Sequence, residues 1–196
     1  MKKLICILFI IGVSGYGYAQ NFGLRFNSSL SPAKRINQIY GGGVFVNLND
    51  YSDNVELLLS ADLTRGKKKL NSDSLNSDYQ NFQIALSALR PVSLSKDLDL
   101  KIGPKLSYIN TFTIDQKNGS SLINYYQSRY FAAGLVLDLQ YQGVFGLPLN
   151  IDLFISPDYL INAKNNFSPP GFVSDYSTKN LSIFNFQFGL SYSLKK

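Results

Sequence analysis

Histidine is absent from this 196-residue chain, and cysteine occurs only once, at Cys6. Without histidine, the chain can form no Ser-His-Asp triad, no imidazole general base and no His-ligated metal site. Cys6 lies in an N-terminal segment that is predicted to be removed, so the remainder has no cysteine for disulfide bonds or thiol chemistry. We therefore expect a protein that is not an enzyme, with no catalytic residues, no bound metal and no cofactor.

Long apolar runs are missing beyond residue 20, and the single run before it is short. This run, residues 4–13, follows a basic start and precedes small residues that end at Ala19. The pattern predicts a secretory signal peptide over residues 1–19, cut after Ala19. The remaining domain, residues 20–196, has no stretch of about 20 apolar residues that could form a transmembrane helix. It can enter a membrane only as a closed barrel, because lipid cannot satisfy open sheet edges.

In place of such runs, apolar and polar residues alternate with a period of two, which predicts β-strands. The longest example ends the sequence, where Phe184, Phe186 and Phe188 alternate with polar residues. Eight segments show the pattern, namely residues 21–28, 40–49, 55–64, 81–88, 98–108, 130–141, 149–156 and 181–194. No helical periodicity competes with them. The sequence therefore predicts an all-β fold, an eight-stranded antiparallel up-and-down β-barrel closed between the first and last segments.

The connections between these segments alternate in length. Short turns follow the even segments, at residues 49–54, 91–97 and 142–148. Longer polar loops follow the odd segments, at residues 29–39, 65–78, 114–127 and 161–180. Outer-membrane barrels have this asymmetry, with short periplasmic turns and longer outer loops. An even number of strands then places both termini in the periplasm.

Alternation alone leaves open which face of the sheet points outward, because a soluble ligand-binding barrel would have its apolar face inside. Two observations favour lipid outside. The polar face consists mostly of Gly, Ser, Asn, Gln and Ala, with scattered charges. The aromatic residues of the apolar face fall at two levels, with Phe22, Tyr141 and Tyr192 at one and Phe82, Tyr108, Phe131, Tyr159 and Phe184 at the other. Aromatic girdles of this kind are typical of the two membrane interfaces, so we predict a transmembrane barrel.

Several stretches resemble the PorT-like outer-membrane β-barrel family of the Bacteroidetes. They are the opening NFGLRFNSSLS, the glycines at 41–43, the segment FQIALSALRPVSLSKDLDLKIGPKLSYI and the ending FGLSYSL. Gly103-Pro104 followed by an apolar strand is the most characteristic piece. The fourth segment departs from the pattern, with Ala85 and Leu86 where an Ile-Pro pair is expected. The resemblance covers the whole domain and implies a small barrel without catalytic residues, and some members are linked to protein secretion.

The C-terminal segment also resembles the signal by which outer-membrane barrels are recognised for assembly. The pattern consists of a polar residue, a glycine two positions later and two apolar or aromatic residues at the end of the strand. The matching residues are Gln187, Gly189, Tyr192 and Leu194. This resemblance implies that the barrel assembly machinery is a partner.

Charged residues occur on the face predicted to line the barrel interior. They are Arg25, Glu56, Asp62, Asp99, Lys101, Lys105, Asp138 and Asp152. One interpretation is an acid/base pair. The favoured one is an interior charge network, since buried charges need partners. A calcium site from Asp152 and Asp158 is conceivable, but no loop has the dense carboxylate spacing expected for one.

Basic residues concentrate at the end of the barrel that carries the longer loops. They are Lys34, Arg35, Arg65, Lys67, Lys68, Lys69 and Arg129. They form either a solvated surface or a contact with the phosphates of outer-leaflet lipopolysaccharide, which a positive cluster attracts. Nucleic acid is not an expected partner, since the chain has no basic platform interleaved with aromatic residues.

The sequence predicts location more clearly than role. We expect a small outer-membrane protein with a structural or interaction role, in contact with lipid, lipopolysaccharide and protein partners through its loops. Eight strands leave an interior that side chains fill, so an open pore is not expected. The alternatives are a component that assists protein secretion and, with less support, a lipid-modifying barrel enzyme or a soluble ligand-binding barrel.

Overall fold

The computed structural model describes residues 19–30, 39–49, 55–69, 75–117, 123–168 and 181–194, which form one closed β-sheet. Its strands are β1 (Ala19–Leu30), β2 (Ile39–Asn49), β3 (Glu56–Lys69), β4 (Leu75–Ser95), β5 (Leu98–Lys117), β6 (Ile123–Tyr141), β7 (Leu149–Ser168) and β8 (Leu181–Ser193). Each strand pairs antiparallel with the next, and β1 also pairs with β8. The predicted eight-stranded antiparallel barrel is therefore confirmed. The predicted signal peptide lies outside these ranges except for Ala19, at which β1 begins.

The ends of the strands differ from the prediction in a consistent way. Strands β3 to β7 continue into segments that were predicted as loops, namely residues 65–69, 75–78, 114–117, 123–127 and 161–168. The turn predicted over residues 91–97 is also wrong, because β4 continues through Pro91 to Ser95 and only Lys96 and Asp97 form the turn. Polar residues predominate in the loop-end extensions, so the period-two contrast that marks a strand in the sequence weakens there. In β4 the alternation itself continues past Pro91, with Val92 and Leu94 exposed.

The strand register fixes the dimensions of the barrel. A path that steps once around the barrel through paired residues leaves β8 at Ser193 and returns to β8 at Ile183, ten residues away. The paired residues along this path are Ser193, Asn21, Asn47, Leu58, Ser87, Lys105, Gly134, Asp158 and Ile183. Eight strands with this stagger tilt by about 40° and enclose a lumen that side chains fill.

Side-chain burial is reversed relative to that of a water-soluble protein. Among the described residues, nine buried side chains are apolar and twenty are polar or charged, so the lumen is mainly polar. Apolar side chains cover the outside instead, where Leu63 is 62% exposed and Leu106 is 66% exposed. A water-soluble monomer rarely exposes a continuous apolar surface of this extent. The alternative of a soluble barrel with its apolar face inside therefore does not fit the observed orientation.

Aromatic side chains border this apolar belt at both ends of the barrel. We call the end with the three connections β2–β3, β4–β5 and β6–β7 the turn end, and the opposite end, with four connections, the loop end. The turn-end girdle comprises Phe22, Tyr141 and Tyr192, and the loop-end girdle comprises Tyr40, Phe82, Tyr108, Phe131, Tyr159 and Phe184. Along β6, ten residues separate Phe131 from Tyr141, which at about 3.3 Å per residue and a tilt of about 40° gives a belt about 25 Å high. Outer-membrane barrels have a lipid-facing band of about this height.

Glycine allows β4 and β5 to approach closely at residue 103. A Cβ atom added at Gly103 would lie 1.7 Å from the carbonyl oxygen of Ala88 on β4. Pro104 follows, and the regular pairing of β4 with β5 is interrupted beside these two residues. Glycine is typical of positions in a strand that another backbone approaches this closely, because no side chain fits there. No helix among the residues described above is long and apolar enough to cross a membrane.

We expect Gly103→Ala to lower the free energy of unfolding by about 1–3 kcal/mol, because the new methyl group overlaps the Ala88 carbonyl oxygen and must displace backbone. Urea unfolding in detergent, followed by circular dichroism, measures the change. Gly42→Ala is the matched control, since its Cβ would lie 3.4 Å from the nearest backbone atom, the Arg25 carbonyl oxygen. Equal unfolding midpoints for the two variants would show that the close approach at Gly103 does not constrain the wall.

Candidate functional site

Polar side chains in the lumen form two layers, one on each side of an apolar layer. On β3 the inward-facing residues include Glu56, Leu58 and Asp62 in that order from the turn end, and β7 repeats the sequence acidic, apolar, acidic. We call the apolar layer the plug; it comprises Phe45, Leu58, Leu89, Val136 and Phe154. The polar residues on its two sides are named the turn-side layer and the loop-side layer.

The first ion pair of the loop-side layer joins Arg25 on β1 to Asp62 on β3. Arg25 donates from Nε to Asp62 Oδ1 at 2.8 Å and from a terminal guanidinium nitrogen to Oδ2. Asn27 donates to Asp62 Oδ1 at 2.6 Å. This bidentate geometry gives both carboxylate oxygens a hydrogen bond, which is the condition under which burying an arginine–carboxylate ion pair is favourable.

A second ion pair of the same layer joins Lys105 on β5 to Asp158 on β7. Lys105 Nζ donates to Asp158 Oδ2 at 2.7 Å and to the hydroxyl of Ser156 at 2.8 Å. Asn185 and Ser156 also donate to the Asp158 carboxylate, at 2.8 Å and 2.9 Å. The sequence analysis missed Asp158 as a member of the charge network because the strand was predicted to end at Ser156. Asp158 is six residues from Asp152 and therefore lies on the same face of β7.

The plug closes the centre of the lumen with two phenylalanine rings. Phe45 and Phe154 meet edge to face, with ring centroids 5.3 Å apart. The guanidinium carbon of Arg25 lies 6.0 Å from the centroid of Phe45 and 5.4 Å from that of Phe154, within the range of a cation–π contact. A Cβ atom at Gly23 would lie 2.4 Å from the Phe45 ring, and one at Gly189 would lie 3.1 Å from it. The glycines of β1 and β8 thus provide the space that the rings occupy.

Carboxylates outnumber cations in the turn-side layer. Lys101 Nζ donates to Glu56 at 2.7 Å. Asp99 and Asp152 accept hydrogen bonds from neutral groups, namely Gln142 at 2.5 Å for Asp99, and Gln140 at 2.5 Å and Ser191 at 2.7 Å for Asp152. Asp138 is fully buried, and neither of its carboxylate oxygens has a hydrogen-bond partner among the described residues. It lies opposite Lys101 in the register of β5 and β6, so that ammonium has a second carboxylate beside it.

The lumen does not bring acidic residues together as metal ligands. Asp152 lies on the turn side of the plug and Asp158 on the loop side, and each carboxylate is bonded to its own neighbours. Within the part of the chain that the structure describes, no group of three His, Cys, Asp or Glu side chains is placed to hold a metal ion. The calcium site considered from the sequence therefore has no geometric support among these residues.

Several of the basic residues considered for lipopolysaccharide contact lie on strands and do not form a cluster within one loop. Lys34 and Arg35 lie outside the described residues. The segment Lys67–Lys69 belongs to β3, where it pairs with β4, rather than to a loop. Arg65 follows the outward-facing Leu63 at a spacing of two and therefore extends the outer face of β3 above the apolar belt. Arg129, on β6, lies opposite Asn110 of β5.

The residues of the C-terminal assembly pattern divide between the two faces of β8. Gln187 and Gly189 are buried in the lumen, whereas Tyr192 and Leu194 face outward. Tyr192 pairs with Phe22 on β1 and Leu149 on β7, so it lies at the seam where the barrel closes. The inward residues are thus part of the lumen packing, and the outward residues are accessible from the surroundings of the barrel.

We expect Asp62→Ala to lower the free energy of unfolding by about 3–5 kcal/mol, because it leaves the Arg25 guanidinium buried without its counter-charge. Glu56→Ala is the matched variant, since it also removes a carboxylate from a lumenal ion pair. We expect a smaller loss there, about 1–2 kcal/mol, because Asp138 stands beside Lys101 as a substitute partner. Urea titration in detergent measures both variants. A cost for Glu56→Ala equal to or above that for Asp62→Ala would contradict this account.

Solved structures share this fold, although no protein-family model matches the chain and no curated protein is found to be similar to it. Neisserial surface protein A superposes with a TM-score of 0.57 at 12% sequence identity, covering 91% of this chain and 97% of that protein. A major outer membrane protein from Thermus thermophilus superposes with a TM-score of 0.61 at 14% identity, covering 89% of this chain and 99% of the other. At these identities the similarity concerns the fold alone, and that fold is the antiparallel β-barrel of outer-membrane proteins.

Proposed function

We propose that this chain is an integral outer-membrane β-barrel with a structural or interaction role and no enzymatic activity. The observation that carries the proposal is the inverted surface, with an apolar belt about 25 Å high between two aromatic girdles and a polar, filled lumen. Such a surface is stable only where lipid covers it. The shared fold of the two outer-membrane proteins agrees with this location.

The N-terminal sequence supports export from the cytoplasm. The basic start and the short apolar run of residues 4–13 have the character of a secretory signal peptide that is removed after Ala19. The beginning of β1 and the end of β8 both lie at the turn end. In the proposed orientation this end faces the periplasm and the loop end faces the cell exterior, as in other barrels with longer outer loops.

The closer functional assignment rests on the resemblance to the PorT-like family. Of the four stretches that resemble this family, Gly103-Pro104 followed by an apolar strand is the most characteristic. In that family some members are linked to secretion, so assistance to protein secretion across the outer membrane is the second candidate function. The connections at the loop end are then the surfaces for a protein partner. Hydrolysis of lipid A or acyl transfer by the purified protein would overturn the non-enzymatic assignment.

A passive channel is the alternative that the lumen geometry addresses most directly. We expect the wild-type protein in planar bilayers to show no steady large conductance, because the Phe45–Phe154 pair and the layers around it fill the lumen. The double variant Phe45→Ala/Phe154→Ala should show more frequent conductance steps. The matched control is Phe186→Ala/Phe188→Ala, which removes two rings from the outer face. Stable porin-like steps from the wild-type protein would refute the closed lumen.

The location and the assembly pattern are tested together by the substitution Tyr192→Asp. Tyr192 and Tyr141 are matched outward-facing residues of the turn-end girdle, 49% and 47% exposed. An acidic residue near the interface costs only about 0–1 kcal/mol of folding free energy. We therefore expect Tyr141→Asp to insert nearly as well as the wild-type protein, whereas Tyr192→Asp also damages the assembly pattern and inserts poorly.

The measurement is the amount of barrel in outer-membrane fractions that shows heat-modifiable migration on a gel. Absence of the wild-type protein from that fraction would contradict the proposed location. Equal insertion of the two variants would show that the C-terminal strand has no special part in assembly, and it would leave the location unaffected.

A further inference from the structure

Outward-facing side chains of β3 to β6 change from apolar to polar at the loop-end girdle. One row of paired residues on these four strands contains Arg65, Gln80, Phe112 and Gln127. The adjacent row toward the turn end contains Leu63, Phe82, Asn110 and Arg129. We call the five polar members, Arg65, Gln80, Asn110, Gln127 and Arg129, the polar ledge. It borders the apolar belt directly, so it lies at the level of lipid headgroups.

Neither arginine of the polar ledge has a hydrogen-bonded carboxylate partner among the described residues. The side chain of Arg65 is 65% exposed, and the carboxylate oxygen of Asp78 near it is 3.9 Å away, which is too far for a hydrogen bond. Arg129 is half-buried, and its Nε atom has no hydrogen-bond partner among the described residues but is itself buried, so this atom is not the point of contact with a lipid headgroup. The guanidinium group as a whole is the side chain that best matches a phosphate, with which it forms short charge-assisted hydrogen bonds.

Amide and aromatic groups lie between the two arginines. Gln127 Nε2 donates to Asn110 Oδ1 at 3.0 Å, so the two amides are held together across β5 and β6. Gln80 is exposed, and the Phe112 ring beside it is also exposed. Amides can both donate to and accept from hydroxyl groups, and an exposed aromatic ring gives a flat apolar surface to a sugar ring.

We propose that the polar ledge binds the phosphorylated disaccharide head of an outer-leaflet glycolipid, the lipid A part of lipopolysaccharide. Three strand spacings separate Arg65 from Arg129, which places their backbones about 15 Å apart. This arrangement suits a disaccharide with a phosphate at each end, whereas a phospholipid head has a single phosphate. Exposed Leu63, Leu86 and Leu106 lie in the belt below and offer a surface for the acyl chains. The inference rests on the proposed function, because lipid A is confined to the outer leaflet.

This site differs from a cluster of basic loop residues. The ledge belongs to four paired strands, so its groups are held by the sheet, and it faces sideways toward lipid. Of the seven basic residues considered from the sequence, only Arg65 and Arg129 belong to it. The amides and the Phe112 ring between them come from strand segments that were predicted as loops or loop borders. A lipid headgroup would therefore meet a fixed arrangement of charge, amide and ring.

The test measures lipid binding to the purified barrel in detergent by native mass spectrometry. Bisphosphorylated lipid A is the probe, with monophosphorylated lipid A and phosphatidylglycerol as comparisons. We expect Arg65→Gln/Arg129→Gln to weaken the binding of bisphosphorylated lipid A at least about tenfold, since two charge-assisted contacts are lost. Arg90→Gln is the matched control because Arg90 is an exposed, outward-facing arginine at the turn end of β4, and it should bind as the wild type does.

Unchanged binding by the Arg65→Gln/Arg129→Gln variant would overturn the inference, and so would an equal loss for Arg90→Gln, which would indicate a general charge effect. The wild-type protein should bind bisphosphorylated lipid A more tightly than the monophosphorylated form and phosphatidylglycerol least tightly. Equal binding of phosphatidylglycerol would overturn the assignment to a glycolipid. Heat-modifiable migration is recorded for every preparation. A folded barrel that reaches the outer membrane but does not bind lipid A contradicts this inference alone, whereas absence from that membrane contradicts the proposed function.

Discussion

Closure of the sheet by the pairing of β1 with β8 is the interaction on which the rest of the structure depends. Without it, both strands would expose unpaired backbone N–H and C=O groups to an apolar surrounding, at a cost of several kcal/mol for each group. Closure with eight strands and a stagger of ten residues also fixes a narrow lumen. Inward-facing charges in this space must find partners within the protein, as Arg25 does with Asp62 and Lys105 with Asp158.

The partners are arranged so that apolar and polar contacts support one another. The Arg25 guanidinium bonds to Asp62 along its edge and presents its face to the rings of the plug, so the ion pair positions the side chain that covers the plug. The loop-side layer is balanced, with two cations and two carboxylates, and a second apolar cluster that includes Ile109 and Leu160 lies beyond it toward the loop end. The turn-side layer has more carboxylates than cations, so its neutral donors, such as Gln140, carry part of the pairing.

The sequence predicted the strand count, the closure and the inward or outward direction of nearly every residue within the belt. Period-two alternation is strongest there because one face of each strand is apolar and the other lines a polar lumen. The sequence could not predict contacts across the lumen. Phe45 and Phe154 were on the polar face in the sequence pattern, but their meeting depends on the register of strands far apart in the chain. Asp158 was missed because the strand was predicted to end at Ser156, before Pro157. The ledge was missed for a similar reason, since Gln127 lies in a segment predicted as a loop and Gln80 lies outside the predicted strands.

The boundary between lipid and water therefore corresponds to a change from apolar to polar residues along the outer face of single strands. On β3 the outer face changes from leucine at 63 to arginine at 65, and on β4 it changes from Phe82 to Gln80 over the same spacing. On this side the strands continue well past the girdle, to Lys117 on β5 and from Ile123 on β6, whereas β1, β2 and β8 end near it. The polar ledge lies where these longer strands leave the apolar belt. The polar ledge thus lies on the side of the barrel where the strands extend beyond the girdle.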